Sequence, residues 1–199
     1  MPDESQSHRR TWMAFGASEQ IWEDLLPFIR SNLALVARTI SEYEPVSMLV
    51  RPEEHHIAAR MCGEQVHLVD APLDDLWLRD SGPTSVVNQA GQPGGVDMNV
   101  NGWGNKQECE NDTELPRFVT KQARATYLES ELVGEGGGIE VDGRGTAIVT
   151  ESCFLNSNRN PGLSKADCEE VLRSLFGLRR IIWLPGVRGK DITDGHTDF

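Results

Sequence analysis

Between residues 11 and 70, short apolar runs alternate with helical stripes, and that alternation commits the chain to an α/β architecture. Residues 11–15 read as a buried strand. Trp22, Leu25, Leu26, Ile29, Leu33, Val36, Ala37 and Ile40 then recur at helical spacing, which gives an amphipathic helix with one core-facing stripe. Pro27 sits inside this pattern, so the helix starts near it or kinks there. Pro45 closes it, and Val46–Val50 supplies an apolar strand. A shorter helical stretch over residues 53–61, stopped by Gly63, leads to a strand at Val66–Asp70.

The order then repeats with hairpins added. Residues 74–83 read as a strand bearing Trp77 that runs into a turn enforced by Gly82 and Pro83. Strands follow at residues 84–87 and 96–100, around a glycine-rich turn, and end in a loop at residues 101–104 expected to present the Trp103 ring. Asp112 caps a helix carrying Leu115, Phe118 and Val119, with Pro116 tolerated in the first turn. A strand over residues 126–133 delivers Gly134-Glu135-Gly136-Gly137-Gly138, whose glycines permit backbone approaches that side chains forbid. The loop lacks the Lys-Ser/Thr of a nucleotide P-loop. A hairpin over residues 139–150, a helix opened by a capping box at Ser164 and a strand over 181–184 complete the order. The repeats read as structural modules rather than a doubly wound sheet, and no linker divides them, so residues 1–199 are expected to form a single domain.

Composition narrows the function classes. Thirty-one acidic against 19 basic residues leave a formal charge of -12, which argues against nucleic acid or an anionic membrane as partner and tolerates a cationic ligand. No run approaches the roughly 18 apolar residues of a membrane span. Cys62, Cys109, Cys153 and Cys168 show neither zinc nor disulfide spacing, which fits reduced thiols and a cytoplasmic location. His55, His56 and His67 lack partners at metal spacing and read as surface or strand-edge residues, so no metal is expected.

Candidate chemistry gathers at strand ends. Asp194-Gly195-His196-Thr197-Asp198 places a histidine and a carboxylate two apart, on one side of an extended segment. Asp80 follows Trp77, and Glu135 precedes the glycines. Taken singly, each has a plainer reading: a salt bridge for Asp80, a turn cap for Glu135, core packing for Trp77 or Trp103. Taken together, they suit a planar cation. Carboxylates accept paired N–H bonds from a guanidinium, and a tryptophan face covers an apolar stem or a second amine.

Trp77-Leu78-Arg79-Asp80-Ser81-Gly82-Pro83, Asn101-Gly102-Trp103-Gly104, Glu135-Gly136-Gly137, Thr150-Glu151 with Leu155-Asn156, Asn158-Arg159-Asn160-Pro161 and Thr193-Asp194-Gly195-His196-Thr197-Asp198 occur in an order that resembles the agmatine deiminases and the related bacterial-type peptidylarginine deiminases. The resemblance covers essentially the whole chain. It implies the pentein fold, an α/β propeller of ββαβ modules, and hydrolysis of agmatine to N-carbamoylputrescine and ammonia without a cofactor, as in polyamine synthesis. In that scheme Asp80 and Asp198 hold the guanidinium, with Trp77 and Trp103 beside it, and Glu135 fixes the site. His196 serves as general acid and then general base, and a cysteine thiolate attacks the guanidinium carbon. A homodimer is compatible with the resemblance.

The family's nucleophile lies downstream of the His-x-Asp pair in a glycine-rich segment ending in His-Cys, which is absent from this chain. About three of five modules are therefore expected, truncated at the C-terminal side and inactive alone. Three further readings stand beside the main one: a peptidylarginine deiminase; a manganese ureohydrolase, whose second Asp-rich motif and Gly-Gly-Asp-His segment are missing; and a non-catalytic guanidinium-binding module.

Overall fold

The computed structural model describes residues 1–198 and contains three three-stranded sheets. It divides into two compact units, one of Ser7–Leu78 with Glu110–Asp112, the other of Met1–Gln6, Arg79–Cys109 and the chain from Thr113 onward.

In the smaller unit, β1 (Thr11–Ala14), β2 (Val46–Val50) and β3 (Val66–Asp70) form one parallel sheet with β2 in the centre. Thr11 pairs with Val46 and Val46 with Val66. All five β2 residues are buried, as a central parallel strand demands. The crossovers are α1 (Leu26–Ser41) and α2 (His55–Cys62). Pro27 is accommodated at the start of α1, where its missing N–H has no intrahelical partner to lose. Ala34, Ala37 and Ala58 pack with Phe15, Met48 and Val66, and Leu33 and Ile40 flank them. Leu25 and Val36, expected on the core stripe, are exposed: Leu25 precedes α1, and Val36 lies at the stripe's margin.

The larger unit holds two ββαβ modules. In the first, β4 (Thr84–Val87) runs antiparallel to β5 (Pro93–Asp97), and α3 (Leu115–Gln122) returns the chain to β6 (Thr126–Glu129), parallel to β5. The second repeats this with β7 (Ile139–Val141), β8 (Thr146–Thr150), α4 (Lys165–Phe176) and β9 (Arg180–Leu184). Ser164 and Asp167 close the expected capping box on α4. One core joins both modules, with Val96, Met98 and Leu132 against Ile139, Val149, Phe154, Leu172 and Phe176.

Three local expectations are revised. No strand forms over residues 74–83; Asp75 instead binds the backbone of Leu76, Leu78 N donates to Leu76 O, and Leu78–Ser81 is a helical turn. Local side-chain and turn bonds have replaced a ladder there. The strand expected at 96–100 is β5, ending at Asp97, because that carboxylate takes Asn99 N and the Tyr127 hydroxyl while Asn99 turns left-handed at φ 52°. The strand expected at 126–133 likewise stops at Glu129.

Candidate active site

Five segments of the larger unit bring charged side chains together. The helical turn Leu78–Ser81 carries Asp80, a strained loop carries Trp103, the glycine loop carries Glu135 and Gly137, the loop after Phe154 carries Arg159, and the final turns carry His196 and Asp198. His196 and Asp198 do not stand on an extended strand. Asp194 and Gly195 are left-handed, at φ 66° and 93°, and the segment then crosses the glycine loop, where Thr197 N donates to Gly137 O over 3.1 Å.

The His196 ring faces three carboxylates. Its Nε2 lies 3.3 Å from Glu135 Oε2, and its Nδ1 lies 3.8 Å from Asp80 Oδ1 and 3.8 Å from Asp198 Oδ1. The His196 and Glu135 side chains are sealed from solvent, whereas that of Asp198 is 27% exposed. The imidazole is thus held between a closed side and a side open to solvent.

Gly137 lets these groups close in on its backbone. A Cβ placed on it would lie 2.6 Å from Asp198 Oδ2, 2.6 Å from His196 Nδ1 and 2.8 Å from Asp80 Oδ1. Its backbone is not left-handed, so the glycine serves space rather than conformation. Its N–H donates to Asp80 Oδ1 over 3.0 Å.

Asp80 receives its second bond from the Trp103 indole N–H, 2.9 Å from Oδ2. Trp103 itself is buried in a loop with positive φ at residues 102–105, where a ring presented to solvent was expected. Burial raises the Asp80 pKa, while the charge of His196 and the bonds from Trp103 and Gly137 oppose the rise. Trp103→Phe is therefore expected to move the Asp80 titration still higher, measured by carboxylate NMR; an unchanged titration would reject this role for the indole. Trp77 falls in the smaller unit, half exposed, its ring centroid 6.1 Å from that of Trp22.

Behind the carboxylates lies a network whose central members stand in the ordered motifs but whose long-range connections the motifs do not announce. Arg159, whose side chain is wholly buried, donates from Nε to both Glu135 oxygens at 2.8 and 3.0 Å, from Nη1 to Asp194 Oδ2 at 2.9 Å and from Nη2 to Thr193 O at 2.9 Å. Lys106 adds 2.7 Å to the same Asp194 oxygen. Burial works to raise the Glu135 carboxyl, but His196 and Arg159 outweigh it and hold it below the ordinary carboxylate value. Asp194 is also held low, its burial opposed by bonds from Lys106, Asn158 and Arg159. Arg159 therefore fixes Glu135 and the turn that leads to His196 at once. Cys153 completes the wall, with Sγ 3.4 Å from Glu135 Oε2.

The arrangement is a buried histidine and carboxylates converging over a glycine, a set of acceptors and a proton-transfer group that suits a small planar cation. Residues 1–199 match the family model of the Porphyromonas-type peptidyl-arginine deiminases. The chain is 38% identical over 205 residues to an agmatine deiminase of Pseudomonas aeruginosa, covering 100% of this chain and 56% of that protein. The solved agmatine deiminase of Enterococcus faecalis superposes with a TM-score of 0.94 at 28% identity, over 100% of this chain and 56% of its own. The substrate-bound agmatine deiminase of C. jejuni gives 0.83 at 26% identity, over 98% and 59%. The chain thus spans little more than half the length of such relatives.

Proposed function

Because the chain belongs to the Porphyromonas-type peptidyl-arginine deiminase family, whose pentein modules its sheets represent, we propose that the complete protein hydrolyses the guanidinium of agmatine to N-carbamoylputrescine and ammonia. The observation that carries this reading is the convergence of Asp80, Asp198 and His196 on one spot over Gly137, each with a polar atom 2.6 to 2.8 Å from where a Cβ would stand. An ionised Asp80 held in a buried place costs free energy, which a bound guanidinium offsets.

In this reading Asp80 and Asp198 each accept N–H bonds from the guanidinium, and His196 stands at the nitrogen that leaves. A cysteine thiolate forms a bond to the guanidinium carbon. The C–N bond breaks, and the nitrogen departs as ammonia with the proton that His196 delivers. His196 then takes a proton from water, the oxygen adds to the carbon, and the thiolate leaves, giving the ureido product. Glu135 holds the imidazole in place throughout.

None of the cysteines at positions 62, 109, 153 and 168 is assigned the attack. Cys153 is the one beside His196, yet burial, followed by the Glu135 carboxylate, pushes its thiol well above the ordinary value. The thiolate is accordingly assigned to a residue outside positions 1–199, as the family resemblance implies.

Product analysis on the complete protein tests the reading. Agmatine should yield ammonia and a carbamoylated amine. Urea as product, or binding without turnover, would reject it. Faster turnover of arginine within peptides would transfer the same chemistry to the substrate named by the family.

A further inference from the structure

The buried side of the site holds a donor set that this chemistry uses only in part. Glu135, Cys153 and His196 are buried, and one carboxylate oxygen, one sulfur and one imidazole nitrogen lie within 4.8 Å of one another. Cys153 Sγ is 3.4 Å and His196 Nε2 is 3.3 Å from the same oxygen, Glu135 Oε2. Zinc bonds of about 2.0–2.3 Å in tetrahedral array set neighbouring donors roughly 3.3–3.7 Å apart. Two edges of the triangle already fall in or near that range.

The surroundings favour an ion there. Sulfur with imidazole and carboxylate is a zinc-type donor set rather than a calcium or magnesium one. Arg159 grips Glu135 and so orients the ligating oxygen from behind, as outer partners of ligating carboxylates do. The missing side chain at Gly138 lets the backbone pack against these donors: a Cβ there would lie 3.3 Å from Cys153 Sγ and 3.7 Å from His196 Cδ2.

We propose that Glu135, Cys153 and His196 bind a thiophilic divalent cation, zinc before others, and that the bound ion withdraws His196 from proton transfer. Uptake replaces the Cys153 S–H bond by a metal–sulfur bond and releases that proton to solvent. The dipositive charge is then balanced by the Glu135 carboxylate and the Cys153 thiolate, with water in the fourth position. Binding stands apart from the deiminase reading; only its inhibitory consequence rests on that reading.

Cobalt(II) titration of the purified chain under reducing conditions tests the site directly. Expected are tetrahedral ligand-field bands and a sulfur-to-cobalt charge-transfer band at one equivalent, bleached by zinc, lost in Cys153→Ser and kept in Cys109→Ser. No sulfur band, or one that survives Cys153→Ser, overturns the proposal. Should Cys153→Ser fail to fold, NMR of the wild-type histidines decides. Zinc must shift the His196 ring nitrogen, and a response confined to the other four histidines overturns the site. Because these readouts follow the ion rather than turnover, a protein that binds zinc without hydrolysing agmatine refutes the deiminase reading alone.

Discussion

Arg159→Met lowers the stability of the chain by about 3–5 kcal/mol, the range for removing one partner of a buried ion pair. The side chain is 0% exposed and divides its donors between Glu135, Asp194 and Thr193 O. Methionine fills much of the volume but leaves the Glu135 carboxylate buried without its cation. Asp194 keeps Lys106, so the larger share of the loss falls on Glu135. Arg159→Lys preserves charge but cannot reproduce the planar fork, and an intermediate loss is expected.

The pH dependence identifies the cause. Glu135 titrates below its ordinary value in the folded protein, so its stabilising contribution is full above the unfolded pKa and is lost as pH falls through the folded one. In Arg159→Met the burial penalty is no longer opposed by the guanidinium, and the same carboxyl moves up. The gap between wild type and variant should therefore be widest at neutral pH and close in acid, where Glu135 is protonated in both. Urea unfolding followed by circular dichroism at several pH values measures it. A loss under about 1 kcal/mol, or a gap indifferent to pH, would place Arg159 outside the network.

These contrasts show what a sequence can carry. The α1 stripe through Ile29, Leu33 and Ala37, and the Ser164 capping box, are set by neighbours within one or two turns, so they were legible. The strand expected around Trp77 does not form because Asp75 and Leu76 satisfy the local backbone without a sheet partner, a choice that apolar spacing does not encode. Within the site, the convergence of His196 and Asp198 was foreseen from their spacing, but the means differ: left-handed residues and a bond to Gly137, not an extended strand. Arg159 stood in a recognisable motif, Asn158-Arg159-Asn160-Pro161, but its role was not legible, since its partners lie 24 and 35 residues away. Ordered polar motifs marked where the site would be, and long-range hydrogen bonds decided how it is held.

In the complete protein, under the proposed deiminase reading, Gly137→Ala should weaken agmatine binding about 100-fold, roughly 3 kcal/mol, the scale of one or two lost charge-assisted hydrogen bonds. The added methyl group would enter the space shared by Asp80 Oδ1, Asp198 Oδ2 and His196 Nδ1, where the contacts of 2.6 to 2.8 Å leave no room. Alanine is allowed by the backbone at this position, so the effect is steric displacement of ligand and carboxylates rather than strain in the loop. Gly138→Ala provides the comparison. Its methyl group would meet Cys153 Sγ at 3.3 Å and the Phe154 ring at 3.4 Å, on the wall and away from Asp80 and Asp198, so affinity should stay near the wild-type value. Calorimetry on the two variants, with thermal unfolding alongside, separates the effects. Equal losses in both would mean general damage to the glycine loop and would reject the carboxylates over Gly137 as the guanidinium seat. A large loss at Gly137 alone, with unfolding little changed, would identify the missing Cβ as the feature that makes room for the cation.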